Sequence, residues 1–183
     1  ESLTLSNTVC FEMEDLMHTK SAVLPVITYL FHRLEARFDG RPTLLILDEA
    51  WLFLEDPMFS ARIREWLKTL RKKNVAVVFA THSLRDIANS TIAPALVESC
   101  PTRIFLPNER AQEPQSKEAY ERFGLNQRQI ELIAGATPKR DYYYQSPLGC
   151  RVFELELGPI ALAVCGASSP EDQALLDRVQ AET

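Results

Sequence analysis

The residues best equipped for chemistry stand at Asp48-Glu49, directly after the aliphatic run Leu44-Leu45-Ile46-Leu47. Four aliphatic side chains in succession, bounded upstream by Gly40-Arg41-Pro42, predict a fully buried strand of a parallel sheet. Two acids then fall where that strand ends, and in open α/β sheets ligands bind outside the carboxyl ends of the strands. The first acid in such a place can hold Mg²⁺, and the second can position and activate an attacking water. That is the division of labour of a Walker B pair in nucleotide hydrolysis. The plainer alternative is a buried strand followed by two solvated acids that open a loop.

The usual companion of a Walker B pair is a phosphate cradle of the form Gly-x-x-x-x-Gly-Lys-Ser/Thr, and this sequence has none. Its six glycines, at positions 40, 124, 135, 149, 158 and 166, are not arranged as one. The sequence also starts at Glu1. The expectation is a piece of a longer protein, cut between its P-loop and its Walker B strand, that hydrolyses no nucleotide by itself.

Other segments carry reactive side chains. Phe79-Ala80-Thr81-His82-Ser83 follows a second apolar run, residues 75–80. In RecA-like motors the strand beside Walker B ends in a polar residue that senses the γ-phosphate; Thr81 and His82 occupy that place here. The alternative is a turn capped by Ser83 with an incidental histidine. Thr137-Pro138-Lys139-Arg140-Asp141-Tyr142-Tyr143-Tyr144 sets a basic pair before an aromatic strand. Arg140 there could serve as an arginine finger for a neighbouring subunit's nucleotide, or Lys139 and Arg140 could meet nucleic-acid phosphates. Solvated charges beside an aromatic sheet face account for it equally well. Arg71-Lys72-Lys73 needs no more explanation than the negative end of a helix dipole.

The elements that must position these groups follow from periodicity. Residues 8–12 make a short strand candidate. Val23, Leu24, Ile27, Leu30, Phe31, Leu34 and Phe38 recur at helical steps over residues 21–38, with Ser21 as N-cap, Pro25 in the first turn and Gly40 past the end. A second helix spans 57–73, its apolar face marked by Phe59, Ile63, Trp66, Leu67 and Leu70. Short helices over 84–88, capped by Ser83, and 93–98 precede a strand at 102–106. Continuous apolar strands alternating with helices indicate a parallel α/β sheet. Two polar-faced helices, 115–123 and 127–134, come next. Runs at 141–145, 151–156 and 160–165, separated by Ser-Pro-Leu-Gly and Leu-Gly-Pro turns, predict an antiparallel meander. A closing helix over 170–181 has Ser169 as its cap.

At 183 residues, 46% hydrophobic and 25% charged, the chain is expected to be one globular domain with a substantial core. A net charge of −5 argues against a broad nucleic-acid footprint. Cys10, Cys100, Cys150 and Cys165 lie far apart without zinc spacing, and buried free thiols are the default expectation. No apolar run approaches the roughly 18 residues of a membrane span.

Several segments occur in a telling order: Phe-Glu-Met-Glu-Asp-Leu, Leu-Pro-Val-Ile-Thr-Tyr-Leu-Phe-His-Arg, Gly-Arg-Pro-Thr-Leu-Leu-Ile-Leu-Asp-Glu-Ala-Trp, Trp-Leu-Lys-Thr-Leu-Arg-Lys-Lys-Asn, Phe-Ala-Thr-His-Ser, Ile-Phe-Leu-Pro-Asn and Lys-Arg-Asp-Tyr-Tyr-Tyr. Together, over about residues 9–168, they resemble the C-terminal half of the large conjugal-transfer ATPase of type IV secretion systems, the TrbE-like family. The resemblance implies a RecA-like P-loop motor domain that uses ATP with Mg²⁺. It further implies homo-oligomers, often hexamers, working with other secretion components at the cytoplasmic face of the bacterial inner membrane on a DNA or protein substrate. It makes Asp48 the acid that holds Mg²⁺ through water and Glu49 the catalytic base, with Thr81 and His82 beside the nucleotide. Arg140 is then the first arginine-finger candidate and Arg71 the second. The family's Ala-Thr-Gln-Ser stands here as Ala-Thr-His-Ser, so His82 replaces a neutral glutamine with an imidazole.

Three function classes stand side by side: the motor part of a secretion ATPase, a non-catalytic interaction module of the same machinery, and a DNA-pumping motor of the HerA or FtsK type. The ordered family segments and the acidic charge favour the first over the third, and a Gly-x-x-x-x-Gly-Lys-Ser/Thr loop upstream in the parent gene would separate the first from the second.

Overall fold

The computed structural model describes residues 7–13, 16, 19–49, 57–167 and 169–181. Ala50 and Trp51 of the Walker B stretch, and Glu14 and Asp15 of the first family segment, lie outside them. The chain divides into two compact units, Glu1–Asp48 with Glu65–Ala80, and Glu49–Arg64 with Thr81–Thr183.

In the first unit, α1 (Lys20–Glu35) and β1 (Thr43–Leu47) are followed by the C-terminal part of α2 (Pro57–Thr69), a 3₁₀ turn (Leu70–Lys73) and β2 (Val75–Phe79). Thr19 holds the N-cap position of α1 without a side-chain hydrogen bond. Ser21 therefore lies inside the helix, and Pro25 falls in its second turn, where the missing N–H removes an intrahelical bond. Ile27 and Phe31 turn inward, and the rings of Phe31 and Phe38 meet Trp66 at 4.6 and 5.9 Å between centroids. The Trp66 indole N–H donates to Glu35 Oε1, so this aromatic cluster has its polar edge satisfied.

The parallel pairing of β1 and β2 runs in register from Thr43↔Val75 to Leu47↔Phe79. Asn74 sets that register. Its left-handed backbone, φ 60, ends the 3₁₀ turn. Its carbonyl accepts from Thr43 N at 3.1 Å, and its side-chain amide donates to the Gly40 carbonyl at 3.1 Å. Gly40, at φ +98, supplies a turn that a residue with a Cβ adopts only under strain. The expectation of a fully buried β1 is corrected here. Leu45 and Leu47 are buried, whereas Leu44 and Ile46 are each 61% exposed. An apolar run indicates that both faces can be buried. Among the described residues only one face of this strand is covered.

The second unit carries the start of α2, then α3 (Leu84–Asn89), α4 (Ala93–Ser99), β3 (Arg103–Phe105), α5 (Pro114–Arg122) and α6 (Gln127–Ala134). The hairpin β4 (Asp141–Ser146) and β5 (Gly149–Glu154) follows, then α7 (Pro159–Cys165) and α8 (Pro170–Ala181). Ser83 caps α3 as expected, its Oγ accepting from Asp86 N at 3.3 Å. Asn126 and Gln129 form a reciprocal capping box on α6. Ser169 caps α8 through Asp172 N at 3.1 Å. The core gathers Ile87, Ile92, Leu96, Phe105, Ile130 and Ile133, with Tyr120 and Tyr143 packed on the Phe105 ring.

Other expectations are overturned. Strand β3 does not extend the parallel sheet: it pairs antiparallel with β4, giving the three-stranded order β3-β4-β5. Its three residues hold too little pattern to choose a partner, and the aromatic face of β4 offers Tyr143 opposite Phe105. Residues 160–165 form a helix instead of a third meander strand. Pro159 in the first turn and the alanines favour the helix, and so short an apolar run fits either period. Residues 8–12 are irregular. The cysteines are free but not buried: Cys10, Cys150 and Cys165 are exposed and Cys100 is half-buried. Burial pushes the Cys100 thiol above its ordinary pKa. Among the described residues no helix is long and apolar enough to cross a membrane.

Arg103 was not singled out by the sequence, yet it ties the second unit together. Its Nη1 donates to the carbonyl of Phe123 at 2.9 Å and its Nη2 to that of Val97 at 2.5 Å. One guanidinium thus satisfies the ends of α5 and α4, where helix dipoles favour positive charge. Its Nε is buried without a partner beside Gln145, the residue opposite it in register, whose Oε1 is likewise unpaired. Replacing Arg103 by Met strands two carbonyls at a cost of about 2–6 kcal/mol, from roughly 1–3 for each buried unpaired group. The expected result is a lowered urea midpoint with an unchanged denaturant slope.

Candidate functional site

The residues proposed for catalysis directly follow the two parallel strands. β1 ends at Leu47, whose carbonyl accepts from Ala80 N at 2.9 Å, so the ends of β1 and β2 stay paired one residue beyond Phe79. Asp48 is the next residue after β1 and is exposed. Glu49 follows in the left-handed region at φ 49, a conformation that costs a residue with a Cβ about 1–2 kcal/mol. Strain of that kind is retained only where the surroundings enforce it.

Within the second unit, Glu49 and His82 meet: His82 Nδ1 lies 2.8 Å from Glu49 Oε2, with side-chain exposures of 64% and 48%. An ionised carboxylate can only accept, so Nδ1 carries the proton of this hydrogen bond and Nε2 is the nitrogen presented elsewhere. A glutamine at position 82 could donate a hydrogen bond to the same carboxylate, but it could not gain a proton as an imidazole can. Thr81 stands between the strand end and the histidine, its Oγ1 accepting from Ser83 N at 3.2 Å. Together these residues offer an oxygen base oriented by an imidazole, with an acid next to it in the chain.

Asp48 supplies an oxygen donor of the kind Mg²⁺ takes. Among the described residues no three His, Cys, Asp or Glu gather closely enough to hold a metal ion. An acid held at a strand end fits the way Mg²⁺ is commonly bound, by one or two carboxylates with waters and substrate phosphates.

Arg140 stands elsewhere in the second unit, at the base of the β4–β5 hairpin. Its guanidinium pairs with Glu154 through Nε and Nη2, and Nε also lies 3.6 Å from Asp141 Oδ1. The Thr137 N–H donates to Asp141 Oδ2 at 2.8 Å and, with the Arg140 charge nearby, holds that carboxyl below its usual pKa. Lys139 precedes it in a left-handed turn at φ 63. Arg71, the second finger candidate, belongs to the 3₁₀ turn of the first unit, where it is exposed and its carbonyl accepts from Asn74 N at 3.2 Å. Glu154 escaped the sequence reading. The signal available was its register opposite Asp141, which only the hairpin pairing reveals.

The parallel β1–β2 pair, the antiparallel β3–β5 sheet and the flanking helices define an α/β protein. A family model described as the TraG P-loop domain matches residues 2–145, and the chain belongs to that family. It is 54% identical over 182 residues to the conjugal transfer protein TrbE of Rhizobium radiobacter, covering 99% of this chain and 22% of that protein. It is 41% identical over 128 residues to the type IV secretion system protein virB4 of Bartonella quintana, covering 70% of this chain and 16% of that protein. The chain thus spans about a fifth of the length of these curated relatives. The solved structure of VirB4 of Thermoanaerobacter pseudethanolicus superimposes with a TM-score of 0.63 at 18% identity. That match covers 81% of this chain and 41% of that one, and it supports the fold.

Proposed function

We propose that this sequence is the Walker B-bearing segment of a RecA-like ATPase that energises type IV secretion or conjugative transfer, including pilus assembly. The observation that carries the reading is the Glu49–His82 hydrogen bond formed directly after two parallel strands. The names of the TrbE and virB4 relatives add the biological setting. ATP with Mg²⁺ would supply the γ-phosphoryl group and the cation that offsets its charge. Asp48 would hold the cation, through water, and Glu49 would take the proton of the attacking water. His82 orients the Glu49 carboxylate and, with Thr81, responds to the state of the γ-phosphate. Arg140 reaches the nucleotide of a neighbouring subunit. The working form in this reading is a homo-oligomer, a hexamer in the simplest case, peripheral to the cytoplasmic face of the inner membrane. There it acts with other secretion components on DNA or protein cargo.

The phosphate-binding loop then belongs to another part of a longer protein, since this sequence holds no Gly-x-x-x-x-Gly-Lys-Ser/Thr. Without that loop nothing holds the β- and γ-phosphates in line for attack. The test compares ATPase turnover of the purified 183-residue chain with that of the full-length protein carrying it. Mg²⁺-dependent hydrolysis by the full-length protein alone is expected. Robust hydrolysis by the isolated chain, or none by the full-length protein, would overturn the reading.

A further inference from the structure

Arginine fingers work by holding their N–H donors where charge develops, so the fixing of the guanidinium matters as much as its presence. Arg140 is fixed at its backbone from both sides. Its N–H donates to the Thr137 carbonyl at 3.3 Å, and its carbonyl accepts from Leu155 N at 3.0 Å. The left-handed Lys139 makes the turn between them. At the side chain, Glu154 Oε1 takes both Nε and Nη2, which occupies one edge of the five-donor fork and leaves Nη1 on the other. Asp141 adds only an ion-pair attraction and no hydrogen bond to the guanidinium. Nε lies 3.6 Å from its Oδ1, beyond hydrogen-bond range, and its Oδ2 is committed to Thr137 N at 2.8 Å. Glu154 itself is held by β5, directly opposite Asp141 in the ladder.

We propose that Glu154 is a positioning residue that holds the Arg140 guanidinium by its Nε edge and presents Nη1 to the neighbouring subunit's nucleotide. This rests on Arg140 acting as the finger. Exposed ion pairs contribute little to stability, so the effect belongs in turnover and not in folding.

The test is a double-mutant cycle on the full-length oligomer with Arg140→Ala, Glu154→Ala and the pair, reading kcat, KM for ATP and the thermal midpoint. Glu154→Ala should lower kcat about fivefold with KM and midpoint unchanged, a loss of the size an exposed charge pair allows. Adding it to Arg140→Ala should cost nothing more. Glu154→Gln, which preserves shape and one acceptor oxygen, should recover part of the loss, and it serves in place of the alanine variant if that variant folds poorly. Normal turnover by Arg140→Ala would defeat the finger reading itself. A slow Arg140→Ala beside a normal or faster Glu154→Ala and Glu154→Gln would defeat the positioning role alone. Multiplicative losses in the pair would overturn it as well, because Glu154 would then act by another route.

Discussion

Glu49→Gln in the full-length protein should bind ATP as tightly as the parent while turnover falls by about a thousandfold or more, the range assigned to a positioned general base. The substitution keeps the length and planarity of the side chain, and its amide oxygen can still accept from His82 Nδ1, which now lies 2.8 Å from Oε2. What it removes is the ability to take a proton from the attacking water. Loss of kcat with unchanged nucleotide affinity is the pattern of an interaction used in the transition state and not in the ground state. Single-turnover hydrolysis measured beside equilibrium binding of a fluorescent ATP analogue separates the two. Parent-like hydrolysis by the variant would show that the Asp48-Glu49 pair has been misread as Walker B.

Arg140→Ala should lower turnover about a hundredfold, as expected for a cation that offsets charge on the γ-phosphoryl group, with little change in folding or nucleotide affinity. The competing view is that the Arg140–Glu154 pair is only a surface contact. Loss of such a charge usually changes stability by less than about 0.5 kcal/mol and leaves catalysis alone. Both views agree on folding, so the decisive measurement is mixing. If the finger acts between subunits, Arg140→Ala and Glu49→Gln proteins combined in one oligomer place an intact Glu49 opposite an intact Arg140 at some interfaces. The mixture should then regain activity that neither variant has alone. Normal turnover by Arg140→Ala alone would end the proposal.

Local chemistry made much of this chain readable. Helix α8 spans the residues predicted after the Ser169 cap, and α6 begins at the residue after Asn126, whose side chain performs the capping. The run at 44–47 and residues 75–79 of the run at 75–80 are strands, and the polar residues placed after them by sequence do follow the strand ends. Such features depend on groups a few residues apart: a hydroxyl and a backbone N–H, or side chains at helical steps.

The tertiary structure decided what depends on distant partners. The side chains of β3 could not reveal that it joins Tyr143 and Tyr144 across an antiparallel ladder. The apolar run at 160–165 fits strand and helix equally well by composition, and the backbone took the helix. Leu44 and Ile46 have the sequence character of buried residues yet stand exposed. That Arg140 meets Glu154, and that Arg103 answers the carbonyls of Val97 and Phe123, required chain separations of 14, 6 and 20 residues to close in space. The sequence by itself determined which residues are candidates for the chemistry and which strands they follow in the chain. The fold decided which of them touch, because hydrogen bonds and ion pairs act over a few ångströms while sequence spacing constrains only near neighbours.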